Sequence, residues 1–269
     1  MKKNPEKLID TIIEISEEAS SKIIDIYSKG YTLEKKEDTS PLTEADRFSH
    51  KIIENSLKKL SPNLPILSEE GSIKSWAERS NWNEYWLIDP LDGTKEFINR
   101  NGEFTVNIAL IQNHRAVLGV VVVPTTNQCF YGCHNYGAFE KNTTSAPKKI
   151  SVANPSESPI RVVGSRSHRG KSLDKYLERL GEHELVTMGS SLKLCLVASG
   201  AADIYPRLGP TSEWDTAASQ AIVEAAGGFV VTKDKQPLLY NTKADILNPE
   251  FLVYGDPNKD WTEFLSDKA

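Results

Sequence analysis

Two amphipathic helices are predicted at the start of the chain, where apolar residues recur every three or four positions. The apolar stripe of the first helix ends near Gly30 and consists of Leu8, Ile12, Ile15, Ala19, Ile23 and Ile26. In the second helix Thr43 is a candidate N-cap, and Asp46 stands at the matching capping-box position. The apolar face of this helix consists of Phe48, Ile52, Ile53, Leu57 and Leu60. The pattern therefore predicts that Asp46 lies in the first turn of a helix.

The pattern then changes to short runs of β-branched and aromatic residues, which are typical of strands. The runs are YWLID, FTVNIALI, AVLGVVVVP and QCFYG, and Asn113 to Arg115 supplies a hairpin turn within the series. They predict an antiparallel sheet in the N-terminal half of the chain.

Polar residues and proline accumulate over 154–159, and a different order of elements follows. Strand-like IRVVG, ELVTM and ADIYP alternate with helical SLKLCLVASG and WDTAASQAIVEAAGG, the last closed by Gly227 and Gly228. We expect one domain over 1–269 with two lobes. Residues 1–153 would form helices and the antiparallel sheet, and residues 154–269 a smaller α/β lobe.

The composition is that of an ordinary globular protein, with 39% apolar and 26% charged residues among 269. The formal net charge of −5 argues against a partner that is a nucleic-acid polymer, because such binding needs a clustered basic surface. Any phosphate that the protein binds is expected to belong to a small molecule.

The cysteines and the N-terminus indicate the redox state of the thiols and the cellular location of the protein. Cys129, Cys133 and Cys195 are odd in number and lack zinc-site spacing, which favours reduced thiols. The N-terminus carries charges throughout, so we expect neither a signal peptide nor a transmembrane segment. The expected location is the cytoplasm, and both peripheral attachment to the inner membrane and the oligomeric state are left open.

Candidate chemistry begins at WLIDPLDGTKEF, where an apolar strand runs directly into Asp89 and Asp92. Pro90 is expected to force a turn after Asp89 and Gly93 to allow a second bend, so that the two carboxylates converge. Converging carboxylates must take up protons or a hard cation such as Mg²⁺. A solvated Asx turn fits this spacing equally well. The spacing does not fit an EF-hand loop.

Other acids stand at comparable positions. Glu69 and Glu70 follow the apolar run PILS, and Asp215 begins a predicted helix. Alone, an adjacent Glu pair is usually part of a solvated loop, and an acid at a helix start usually caps it.

Together these segments resemble the inositol-monophosphatase-like family of Mg²⁺-dependent, lithium-sensitive phosphatases, with its DP[IL]DGT and WD signatures and a preceding Glu-Glu site. Within the family they are most similar to the CysQ-type 3'(2'),5'-bisphosphate nucleotidases. The similar segments are LSEE, YWLIDPLDGTKEFINRNGEFTVNIALI, SRSH, GSSLKLCLVASGAADIYPR and WDTAA, within about 36–249. The resemblance implies a layered α-β-α-β-α sandwich.

The resemblance also implies ligands for two or three Mg²⁺ ions. Glu69, Asp89 and the Leu91 carbonyl would bind one ion, and Asp89, Asp92 and Asp215 a second. Two metal ions about 3.5–4 Å apart suit in-line displacement at phosphorus. Asp46 and Thr94 match the pair that orients and helps to deprotonate the attacking water, and Glu69 is included among the catalytic residues.

The substrate pocket implied by the resemblance overlaps with the metal site. Its residues would be Glu69, Leu91, Asp92, Gly93, Thr94, His168, Ser190, Lys193, Arg207 and Asp215. The backbone N–H groups of Gly93 and Thr94 could bind phosphate oxygens. Taken singly, Lys193 and Arg207 would be surface cations and His168 a solvated loop residue.

The expected reaction is hydrolysis of 3'-phosphoadenosine 5'-phosphate to AMP and phosphate, with the sulfated analogue as a further substrate and a role in sulfur metabolism. The alternative within the same chemistry is an inositol monophosphatase or a sugar phosphatase acting on fructose 1,6-bisphosphate. An alternative outside the enzymes is a nucleotide sensor, which would bind the nucleotide without hydrolysing it. The chain has neither a Walker loop nor a C-x5-R cysteine nucleophile, which argues against transfer to a nucleotide or through cysteine.

Overall fold

The computed structural model describes residues 5–29, 33–35, 41–166 and 170–265. The helices are α1 (Pro5–Lys29), α2 (Glu44–Leu60), α3 (Trp76–Arg79), α4 (Thr94–Ile98), α5 (Lys171–Leu180), α6 (Leu192–Ala198) and α7 (Ala217–Ala225). Short 3-10 turns cover Glu213–Asp215 and Trp261–Phe264. The strands are β1 (Leu33–Lys35), β2 (Pro41–Thr43), β3 (Ile66–Ser68), β4 (Glu84–Asp92), β5 (Thr105–Gln112), β6 (Arg115–Val123), β7 (Gln128–Cys133), β8 (Gly137–Lys141), β9 (Lys148–Ile150), β10 (Ile160–Ser165), β11 (His183–Met188), β12 (Ile204–Arg207), β13 (Phe229–Thr232) and β14 (Phe251–Tyr254).

The larger sheet has seven strands in the order β3-β4-β5-β6-β7-β8-β9. Strands β4 to β9 pair antiparallel, as predicted for the meander, and Asn113 and His114 form the hairpin turn with positive φ. The edge strand β3 is parallel to β4, because the chain crosses over through α3 before it enters β4. The sheet is therefore mixed at the edge that contributes Glu69.

The smaller sheet has five strands in the order β11-β10-β12-β14-β13. Strand β10 is parallel to β11 and β12, and β14 pairs antiparallel with β12 and β13. The predicted alternation of strands and helices is confirmed for β10 to α7. Strands β13 and β14 were not anticipated.

Three apolar cores separate the layers. Helices α1 and α2 pack on one face of the larger sheet, α6 and α7 fill the space between the two sheets, and α5 covers the outer face of the smaller sheet. Burying one face of each helix and both faces of each sheet in this way produces successive layers. The expected α-β-α-β-α sandwich is confirmed.

Helix α7 packs unusually closely on the larger sheet. A Cβ atom built on Gly119 of β6 would lie 1.9 Å from the Ala218 carbonyl oxygen, so only glycine permits this approach. The chain therefore returns from its C-terminal half to cover the N-terminal sheet. The division into lobes at 153/154 stays a prediction.

Some local expectations concern the helix ends and the thiols. Helix α2 begins at Glu44, so Asp46 lies in its first turn as predicted, whereas Gly30 and the Thr43 side chain lie outside the described part of the chain. Cys129, Cys133 and Cys195 are free thiols, as expected. Within the described ranges, every helix is too short or too polar to cross a bilayer.

Candidate active site

Strand β4 continues through Pro90, and the turn predicted after Asp89 is wrong. Asp89 pairs with Asn107 and Asp92 with Thr105, so β4 carries one more residue than β5 over this interval. Such a bulge lets a proline occupy a strand without losing a ladder hydrogen bond, and it redirects the side chains that follow. Gly93 then takes a left-handed φ of 94° and is the N-cap of α4.

Acidic side chains from distant parts of the chain meet at this bulge. Glu69, Asp89 and Asp215 each offer a carboxylate oxygen within 4.8 Å of the others. Glu69 follows β3, which is parallel to β4, and Asp215 is the last residue of the 3-10 turn before α7. Asp92 lines the same pocket as Glu69 and Asp215. Glu69, Asp89 and Asp215 therefore form one cluster, with Asp92 next to it.

The sequence predicted Asp215 at the start of a helix, but α7 begins two residues later, at Ala217. Its carboxylate accepts a hydrogen bond from the Ser212 backbone N–H at 2.9 Å, which closes a capping box around the 3-10 turn. Thr216 precedes α7 instead. This turn orients Asp215 towards the other acids.

The cluster disfavours ionised carboxylates. Burial, followed by the charges of Glu69, Asp92, Asp215 and Asp46, raises the pKa of Asp89 well above its ordinary value. The pKa of Asp215 is likewise raised well above its ordinary value, by burial and then by Asp92. Burial also raises the pKa of Asp92, although Lys193 and the Ser191 N–H oppose that shift. The folded chain needs either protons or cations at this point.

The acidic residues fit a hard divalent cation. Asp89 Oδ1 accepts a hydrogen bond from Leu91 N–H at 3.1 Å, whereas buried Oδ2 has no hydrogen-bond partner among the described residues. Leu91 lines the pocket although its side chain is 1% exposed and packs in the core. A buried carboxylate oxygen without a donor, beside further carboxylates, is the ligand set that Mg²⁺ prefers.

Helix α2 contacts the bulge from the other side. Asp46 is 4% exposed, and its charge contributes to the raised pKa of Asp89. Ser49, one turn further along α2, donates a hydrogen bond to the Pro90 carbonyl at 2.7 Å. Sequence reasoning missed Ser49, because a serine on a helix face gives no sign of its distant acceptor.

A basic side chain lies close to the acids. Lys193 is 7% exposed, and its Nζ donates to the carbonyl of Ser190, which has a left-handed φ of 43°. Burial lowers the pKa of Lys193, and the charge of Asp92 opposes that shift. The interpretation of Lys193 as a surface cation is therefore wrong. Arg207 is half-buried at the edge of the same pocket.

The loop before α6 contacts Asp92 directly. Ser191 N–H donates to Asp92 Oδ2 at 2.5 Å, and Ser191 Oγ donates to Asn107 Oδ1 at 2.9 Å. Thr105 Oγ1 is 2.9 Å from Ser191 Oγ. These contacts join residues more than 80 positions apart, which local sequence patterns do not predict.

One pocket contains most of the residues selected from the sequence. It has a volume of about 320 Å³ and is lined by Glu69, Leu91, Asp92, Gly93, Thr94, Ser190, Lys193, Arg207 and Asp215, among others. Neither Asp46 nor Asp89 is among the lining residues, although Asp46 is close enough for its charge to raise the pKa of Asp89. His168 lies outside the described residues.

Comparison with known proteins gives consistent results. The model of the inositol monophosphatase family matches residues 4–264. The 3'(2'),5'-bisphosphate nucleotidase CysQ of Salmonella typhimurium is 45% identical over 248 residues, which cover 91% of this chain and 99% of that protein. The CysQ of Haemophilus influenzae is 37% identical, with 95% and 96% covered.

Among solved structures, CysQ from Bacteroides thetaiotaomicron, described as a bacterial member of the inositol monophosphatase family, superposes with a TM-score of 0.81 and 40% identity. The match covers 93% of this chain and 97% of that one. The chain therefore belongs to the inositol monophosphatase family.

Proposed function

We propose that this protein is a metal-dependent phosphomonoesterase, a 3'(2'),5'-bisphosphate nucleotidase that hydrolyses 3'-phosphoadenosine 5'-phosphate to AMP and phosphate. The observation that carries the proposal is the cluster of Glu69, Asp89 and Asp215, with carboxylate oxygens within 4.8 Å of one another, beside buried Lys193. Acids that close together must take up protons or cations, a divalent cation satisfies several of them at once, and the neighbouring lysine suits a phosphorylated substrate. The similarity to the CysQ nucleotidases supports this substrate class.

The proposed ligands divide into two overlapping sets. Glu69, Asp89 and the Leu91 carbonyl would bind one Mg²⁺, and Asp89, Asp92 and Asp215 a second. Bound divalent cations lower the pKa of a coordinated water and neutralise charge on the leaving oxygen. Asp89 Oδ2, which lacks a donor among the described residues, is available for both sets.

The chain's own groups would orient and deprotonate the attacking water. Thr94 lies at the first position of α4, two residues after Asp92, and Asp46 lies in the first turn of α2, where its charge affects Asp89. We assign the Thr94 hydroxyl to orienting the water and the Asp46 carboxylate to accepting its proton through Thr94. The water oxygen forms the new bond to phosphorus as the bond from phosphorus to the ribose 3'-oxygen breaks. That oxygen then takes a proton from solvent.

The remaining pocket residues would bind the substrate. The N–H groups of Gly93 and Thr94 are suited to the transferred phosphate, and Lys193 supplies a positive charge next to Asp92. We assign Ser190 and Arg207 to the second phosphate or the ribose. His168 is assigned to the nucleotide on the family resemblance alone.

The substrate assignment is tested by measuring phosphate release with 3'-phosphoadenosine 5'-phosphate, its sulfated analogue, inositol 1-phosphate and fructose 1,6-bisphosphate, each with Mg²⁺ and with EDTA. We expect Mg²⁺-dependent turnover with the highest kcat/KM for one of the adenosine nucleotides. A higher kcat/KM for inositol 1-phosphate or fructose 1,6-bisphosphate would favour the alternative phosphatases. Binding of the bisphosphate nucleotide without phosphate release would favour the sensor.

A further inference from the structure

A buried polar network joins the end of α3 to the 3-10 turn that carries Asp215, and its first member is Arg79. Arg79 is 1% exposed, and its Nη1 donates to Asn241 Oδ1 at 2.5 Å. Its Nη2 donates to the Ala244 carbonyl, and its own carbonyl accepts from Asn241 Nδ2 at 2.6 Å. Arg79 and Asn241 are 162 positions apart, so these bonds join two distant segments.

Asn241 extends the network to the turn that carries Asp215. The Asn241 backbone N–H donates to both carboxylate oxygens of Glu213, at 3.0 and 2.9 Å. Glu213 is 1% exposed, and its own N–H donates to the Ile246 carbonyl at 2.9 Å. The segment 241–246 therefore fixes the 3-10 turn Glu213–Asp215 through both the side chain and the backbone of Glu213.

The two ends of the network carry different parts of the cluster. Helix α3 leads directly into β4, which carries Asp89 and Asp92, whereas the 3-10 turn carries Asp215. The carboxylate oxygens of Glu69, Asp89 and Asp215 lie within 4.8 Å of one another, so their negative charges repel when no cation is bound. The hydrogen bonds of the network oppose separation of the two segments.

Stability alone is a poor explanation for this network. Burying the charged groups of Arg79 and Glu213 has a large desolvation cost, and such groups often stabilise a fold less than apolar side chains of similar size. Arg79 Nε lacks a hydrogen-bond partner among the described residues, which adds to the cost. A role in fixing the position of the turn that carries Asp215 accounts better for the burial of Arg79 and Glu213.

We propose that Arg79 is a positioning residue of the divalent cation site: acting through Asn241 and Glu213, it fixes Asp215 relative to Asp89. The inference rests on the proposed function, because it assumes that the acids bind metal. Outer groups that orient metal ligands typically change metal affinity about 10–100-fold when they are removed.

Binding of Mn²⁺ to the full-length chain, measured by electron paramagnetic resonance of the free ion, tests the inference. We expect Arg79→Met to weaken Mn²⁺ binding about tenfold or more. Arg79→Lys keeps the charge but provides a single donor group, so its loss should be intermediate. The KM for the bisphosphate nucleotide at saturating metal should change little.

Arg161→Met is the matched control. Arg161 makes comparable bonds, to both carboxylate oxygens of Asp203 at 3.0 and 2.8 Å and to the Gly200 carbonyl at 2.9 Å. Within the described ranges these hydrogen bonds do not involve the 3-10 turn that carries Asp215. We expect this variant to lower the melting temperature and to bind Mn²⁺ like the unmodified chain. All binding is measured below the melting transition of each variant.

The possible outcomes distinguish failure of the proposed function from failure of the positioning role of Arg79. If the unmodified chain does not bind Mn²⁺, the proposed function fails. If it binds Mn²⁺ and the folded Arg79 variants bind equally well, the positioning role fails. An equal loss in Arg161→Met would mean general destabilisation and would also overturn the positioning role. If Arg79→Met does not fold, Arg79→Lys decides the question alone.

Discussion

Asp89 combines complete burial with an oxygen that has no donor among the described residues, so it should act against stability when metal is absent. We predict that Asp89→Asn raises the melting temperature in EDTA, because it removes a charge that burial and the other acids disfavour. The same change should lower Mg²⁺-dependent turnover by about 100-fold or more, since a direct ligand matters at least as much as an outer group. Thermal melts and phosphate release measure the two effects.

Asp203→Asn is the control for this prediction. Asp203 is also fully buried, but Arg161 compensates its charge with paired hydrogen bonds. Its substitution should lower the melting temperature, because it weakens an ion pair instead of relieving repulsion. If Asp89→Asn destabilises the metal-free chain as much as Asp203→Asn does, the assignment of Asp89 to a metal site loses its support.

Thr94 lies at the start of α4, where the proposed mechanism needs a hydroxyl group. We predict that Thr94→Ala lowers kcat by about 10²-fold with a smaller change in KM, because contact with the attacking water matters most in the transition state. Thr94→Ser keeps the hydroxyl and should retain most of the activity. Steady-state kinetics for both variants decide the point, and a change confined to KM would assign Thr94 to substrate binding.

At the scale of elements, α7 packs so closely on β6 that Gly119 leaves no room for a Cβ atom. We predict that Gly119→Ala lowers the free energy of unfolding by about 3 kcal/mol or more, because the added Cβ would meet backbone atoms of Ala218. Displacement of α7 should also lower activity, since Asp215 lies in the turn just before it.

Gly170→Ala is the control, because among the described residues other than its chain neighbours no atom lies within 4 Å of a Cβ at that position. We expect its effect to stay within about 1 kcal/mol, as is usual where no contact is disturbed. Urea unfolding of both variants measures the difference. Similar losses for the two variants would mean that the close approach of α7 is not rigid.

Periodicity and composition were sufficient to predict α1, α2, the meander from β4 to β7 and the alternation of elements after 159. They could not show that β3 is parallel to β4, because pairing across a crossover depends on residues far apart in sequence. They also predicted a turn at Pro90 where the structure has a bulge, since proline is compatible with either. Local patterns did not predict the contacts of Ser49, Ser191 and Arg79, because each depends on a partner far away in the sequence.

Local spacing and family resemblance differ in how strongly they indicate the acids of the site. Spacing alone left Asp89 and Asp92 open between a metal site and an Asx turn. The family resemblance added Glu69 and Asp215, and the structure brings these two acids together with Asp89. Their convergence depends on the layered fold, which local patterns do not contain.

For the whole molecule, the raised pKa values predict how stability depends on pH. Metal-free Asp89 and Asp215 bind protons more tightly in the folded than in the unfolded chain, so raising the pH through their pKa values lowers the free energy of unfolding. Burial raises the pKa of Glu213 from 4.5 to about 7, which acts in the same direction between those two values.

We therefore expect the melting temperature in EDTA to fall as the pH rises from about 5 to about 8. Saturating Mg²⁺ should reduce this fall, because bound metal replaces the protons on the acids. Calorimetric melts over this range, with and without Mg²⁺, test the prediction. If the melting temperature depends on pH in the same way with and without Mg²⁺, the acids do not exchange protons for metal.

The central claim is that acids from three distant segments share divalent cations at the end of β4. Anomalous diffraction from crystals soaked in Mn²⁺, recorded at the manganese edge, tests it most directly. We predict strong peaks within coordination distance of Glu69, Asp89, Asp92 and Asp215, and their loss in Asp89→Asn. Manganese bound only elsewhere on the molecule, or no ordered manganese in crystals of the unmodified chain, would contradict the account.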